Sequence, residues 1–101
     1  MEAVFTSKYY AAYQCNQSRK IYIDFGQKTI AFTFCQLLAF RHKLNKLTIE
    51  DHINGSNKHG IEILSLCNRQ HILIFNTLEV LDAKELLIGT FAMFELQSIL
   101  Y

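Results

Sequence analysis

The sequence predicts an α+β fold: two β-β-β-α units related by a pseudo-two-fold axis, with the helices on one face of an antiparallel sheet. Three observations point there. Ile21, Ile23 and Phe25 alternate with Tyr22 and Asp24, a period of two that marks a half-buried strand. Two capping-box patterns, Thr33-Phe34-Cys35-Gln36 and Asp82-Ala83-Lys84-Glu85, each stand before an apolar helical run. The halves also echo one another, with Cys15-Asn16 and Cys67-Asn68 at hairpin turns, Ile-x-Ile in both second strands, and Leu37-Leu38 and Leu86-Leu87 after the boxes.

On this reading one domain spans residues 1–101, with unit one near 8–47, a connector at 48–60 and unit two near 61–101. In unit one, Lys8 to Gln14 is tyrosine-rich and suits a strand with a half-wet face. Cys15 to Ser18 turns the chain, Arg19 to Phe25 is the second strand, and Thr29 to Phe32 returns as the third. The helix from Thr33 places Leu37, Phe40, Leu44 and Leu47 on one stripe, the pattern of a surface helix with one buried face. Asn54-Gly55 and the polar residues after it supply turn chemistry in the connector.

Unit two repeats the scheme. Ile61 to Leu66 and the almost wholly apolar His71 to Phe75 form a hairpin around Cys67-Asn68, Asn76-Thr77 turns, and Leu78 to Leu81 is a third strand. The helix from Asp82 to Leu100 is unlike the first. On a wheel of ~100° per residue its apolar side chains spread almost all round, and a small two-layer domain covers a helix on one side only. The excess predicts a homodimer or partner interface made by Leu86, Ile88, Ala92, Met93, Leu96 and Ile99. The competing reading is a central helix cradled by a curled sheet and the first helix.

Composition narrows the function. Half of the residues are hydrophobic and 19% are charged, which fits a packed globule and excludes a disordered chain. Ten basic and nine acidic side chains leave a net charge of +1. That balance lacks the positive footprint of nucleic-acid and acidic-membrane binders, and it leaves little repulsion to oppose self-association. No nucleic-acid or membrane partner and no cofactor is expected. Met1 to Lys8 carries no basic stretch followed by an apolar one, and the three cysteines are sparse. Both features predict reduced thiols in a cytoplasmic protein.

Chemistry-bearing clusters are few. Cys67-x3-His71, with Cys15 at the equivalent turn, is the candidate metal or small-ligand set. It lacks the tight Cys-x-x-Cys or His-x3-His pairs through which zinc ligands usually arrive. Buried cysteine as a small apolar residue is the simpler reading. Arg41, Lys43 and Lys46 form a basic cluster that could meet phosphates, yet cations at the end of a helix also answer its dipole. Asp24-Phe25-Gly26 spells a kinase magnesium triplet with nothing else of that enzyme around it. No catalytic residues are assigned, and the chain is read as non-enzymatic.

The run from Cys15 through Asp24-Phe25-Gly26 to the capped helix at Thr33 resembles a family of short uncharacterised bacterial proteins of about this length. That resemblance implies a first hairpin carrying Cys-x-x-Cys and a second strand ending near Phe-Gly. Ser18 stands here where the second cysteine would be, which removes a ligand from any metal site the family shares. The resemblance implies no activity.

Overall fold

The structure, a computed structural model, describes the backbone of residues 2–26, 28–47, 61–66 and 70–100, and their side chains except at 62 and 98–100. Among these residues six strands and two helices follow in the order β1 (Glu2–Thr6), β2 (Ala11–Cys15), β3 (Lys20–Asp24), β4 (Thr29–Phe32), α1 (Phe34–Lys46), β5 (Ile61–Leu66), β6 (His71–Asn76) and α2 (Thr77–Leu100). The fold is α+β. Its strands form two antiparallel sheets, a four-stranded meander β1-β2-β3-β4 and the separate hairpin β5-β6.

Register explains why the meander has one dry face. Ala12, Ile23 and Ile30 pair across β2, β3 and β4, as do Gln14, Ile21 and Phe32. Apart from half-buried Gln14, these residues are buried. The other face carries Tyr13 paired with Tyr22, and Ala11 paired with Asp24, all only half-buried. Helix α1 lies over β3 and β4, and α2 lies over β1 and β2. A ladder of rings fills the middle: Phe25 meets Tyr10, Phe40 and Phe75 edge-on at 5.4–6.1 Å, and Phe32 stacks on Phe40 at 5.6 Å.

Helix α1 matches its expectation closely. Thr33 accepts from the Gln36 amide, the Gln36 side chain accepts from the Thr33 amide, and Leu37, Phe40 and Leu44 are buried. The kinase-like triplet is a turn. Asp24 Oδ1 accepts from the Gly26 amide at 2.8 Å, and Gly26 adopts φ +81°, a conformation glycine reaches without strain.

Unit two departs from expectation at the start of α2. Leu78 to Leu81 is helical, not a third strand, and the helix begins at Thr77. The capping box that operates is Asn76-Thr77-Leu78-Glu79: Asn76 Oδ1 accepts from the Glu79 amide at 2.8 Å, and Glu79 Oε1 accepts from the Asn76 amide at 3.0 Å. Asn76 thus ends a strand and caps a helix, so no turn is left for another strand. Among the described residues, unit two therefore shows two strands before its helix, and a paired set of β-β-β-α units is not shown. What the halves share is shorter, a hairpin whose second strand runs directly into a box-capped helix.

Asp82, expected as the N-cap, lies inside α2 and is buried. Its carboxylate accepts from Ser7 Oγ at 2.6 Å and from the amides of Lys8 and Tyr9 at 3.0 and 2.9 Å. It pins the turn between β1 and β2 to the helix. Next to it, Tyr10 donates to Glu79 at 3.3 Å, and burial followed by the neighbouring Glu79 carboxylate pushes the Tyr10 hydroxyl well above its ordinary range. β1 itself was not foreseen. It pairs with β2 around a bulge between Ala3 and Phe5, and the Phe5 ring packs on α2 against Gly89.

Candidate interaction surface

Helix α2 buries one stripe and leaves another open. Val80, Ala83, Leu86, Leu87 and Thr90 are enclosed by the chain's own sheet and first helix. On the other side Ile88 is 72% exposed, Leu78 63%, Leu96 51% and Leu81 42%. Of the six residues expected at an interface, Ile88, Ala92 and Leu96 are open to solvent. Leu86 is a correction: it is completely buried within the chain and belongs to the core. The wheel could not separate it from Ile88, because a helix apolar all round has no polar side to orient it. Met93 is half-buried and packs against the core, and the Ile99 side chain lies outside the described residues.

The β5-β6 hairpin carries a second open face that the sequence reading missed. Leu64, Leu66, Leu73 and Phe75 point into the core. The opposite face holds Ile63 paired with Ile74, Ser65 paired with Ile72, and Ile61 paired with Asn76. Ile63 is 66% exposed, Ile74 63%, Ile72 59% and Ile61 48%, and no charged side chain stands among them. The signal was present in the uninterrupted apolar run of β6, which has no polar alternate to offer water.

The candidate ligand residues are not brought together among the described residues, where no group of three metal-ligating side chains occurs. Cys67 lies outside the described residues, and His71 opens β6 half-buried. Cys15 ends β2, beside a groove of about 230 Å³ lined by Gln14, Asn16, Arg19, Ile21, Phe34 and Phe94. Hydrogen bonds to its sulfur from the Ser18 side chain and from the backbone of Ser18 and Gln17 hold the thiol below its ordinary range. Ser18 therefore stabilises the Cys15 thiolate.

Two members of the basic cluster make contacts within the chain. Lys43 donates to the Ser65 carbonyl, and the Arg41 guanidinium sits 4.2 Å from the centre of the Phe91 ring. Lys46 stays exposed in the last turn of α1. Among the described residues no helix is long and apolar enough to cross a membrane. Comparison of the chain with protein-family models, with curated proteins and with solved structures returns no match.

Proposed function

We propose that the chain is a small non-enzymatic interaction module that self-associates through α2. The observation carrying this reading is the open stripe of that helix. Leu78, Leu81, Glu85, Ile88 and Ala92 follow one another in alternating steps of three and four, the spacing of a seam between two helices. Three of the five are large and apolar. Glu85, the single charge among them, is the kind of residue that fixes register at some cost in stability. Near-zero net charge supports association, since it leaves little long-range repulsion.

Size-exclusion chromatography with light scattering tests this. The chain at about 50 μM, a concentration that populates even a micromolar complex, is expected to run as a dimer. Ile88→Glu is expected to run as a folded monomer, since Ile88 contributes little to its own core. An unchanged dimer in that variant removes α2 from the interface.

A second reading, capture of a soft metal or small ligand at Cys15, draws on the lowered thiol and the adjoining groove. Elemental analysis of protein purified under reducing conditions tests it, and the absence of bound metal ends its metal form. The finer account of the fold, descent of both halves from one unit, draws on the Cys-Asn and Ile-x-Ile echoes and on the strand-to-helix capping boxes at Thr33 and Asn76.

A further inference from the structure

The open stripe of α2 is too small to hold two chains together by itself. At ~200 Å² for a fully exposed leucine or isoleucine, its four large apolar residues leave on the order of 400 Å² open, about half of what each partner gives to a stable dimer. The isoleucine face of β5-β6 offers roughly the same area again, within the size at which apolar patches on monomers tend to be functional. We propose that this face is the second half of the same interface, covered by a second copy of the chain. The inference rests on the self-association reading.

Three features favour a second copy over another occupant. The combined area reaches the size of a stable dimer interface, which neither patch reaches alone. Among the described residues the face bears no charged side chain, so two identical copies meet there without like-charge repulsion, and a charged partner finds nothing among them to pair with. The patches also adjoin along the chain. Ile74 and Leu78 are only four residues apart, because β6 passes into α2 with no intervening loop. Closure by a two-fold axis, the commonest symmetry of homodimers, lets each patch meet its own counterpart or the other patch.

Sedimentation velocity over a concentration series tests the proposal on three forms of the full chain: wild type, Ile63→Thr/Ile74→Thr, and Ile88→Glu. Threonine keeps the branching that suits strands, and both isoleucines are mostly exposed, so the hairpin variant is expected to keep wild-type circular dichroism. It is also expected to raise the dimer Kd roughly tenfold or more, as loss of central interface contacts does. A wild-type Kd in the hairpin variant, with dissociation in Ile88→Glu, overturns the hairpin proposal and leaves the α2 reading standing. A weakened hairpin variant beside an unaffected Ile88→Glu overturns the α2 reading and, with it, the proposal of one interface shared by both faces. A monomeric wild type overturns both. If that monomer also co-sediments with phosphatidylcholine vesicles, the open faces belong to a lipid surface.

Discussion

The two halves of the molecule end in the same device and use it differently. In each, a hairpin (β3-β4 or β5-β6) runs straight into a box-capped helix. In the first half, the strands alternate, the helix has one apolar stripe, and almost everything apolar faces inward. In the second, both faces of the hairpin and two sides of the helix are apolar, and only half of that surface finds cover within the chain. The difference teaches that polar alternation, more than total hydrophobicity, decides how much of a segment its own chain can satisfy.

The sharpest way to break this comparison lies within α2. Leu86 and Ile88 are two residues apart and similar in chemistry, yet one is buried and the other is open. Leu86→Ala should cost about 2–5 kcal/mol of stability in urea titration, the range for a core truncation. Ile88→Ala should leave the stability of the monomeric form nearly unchanged. Equal losses would mean that α2 is oriented differently.

Next in size is the carboxylate that ties β1 and β2 to α2. Asp82→Ala leaves the Lys8 and Tyr9 amides without their acceptor and Ser7 Oγ with only the Tyr10 carbonyl, and should destabilise the fold by about 2–3 kcal/mol. A surface Asp would cost far less, so chemical denaturation distinguishes a buried latch from a second helix cap.

Gly89 gives a smaller effect with a change of sign. A Cβ there would collide with the Phe5 ring, so Gly89→Ala should lower stability by about 1 kcal/mol through overpacking. In a Phe5→Ala background the same change should instead stabilise by about 1 kcal/mol, the helix preference for alanine over glycine. A double-mutant cycle by thermal denaturation reads both.

The smallest effect concerns Cys15. Its thiol titrates below the ordinary range because Ser18 and Gln17 bond to the thiolate. Alkylation of the Cys15 peptide, followed by mass spectrometry, should therefore stay fast as pH falls below the range of an ordinary thiol. Ser18→Ala should move that profile toward higher pH, and an unmoved profile would assign the lowering elsewhere.

Local signals were legible in the sequence, and signals settled by distant partners were not. Thr33 and Gln36 cap α1 with atoms three residues apart, and the stripe Leu37, Phe40, Leu44 is set by helix period alone. Asn76-x-x-Glu79 and Asp82-x-x-Glu85 match one pattern equally well six residues apart. Only the turn from Ser7 to Tyr9, far away in sequence, decides that Asp82 serves another purpose. β1 escaped for a related reason, since Val4 and Phe5 are held by a bulged pairing and by α2. On the candidate surface, the excess of apolar residues in α2 could be read. Its division into Leu86 inside and Ile88 outside could not.

The surplus of uncovered apolar surface in the second half is most directly tested by the mass of the wild-type chain in solution. Light scattering across a dilution series should return twice the 11.8 kDa chain mass, falling toward one chain only on dilution. A single-chain mass that holds at every concentration would contradict it.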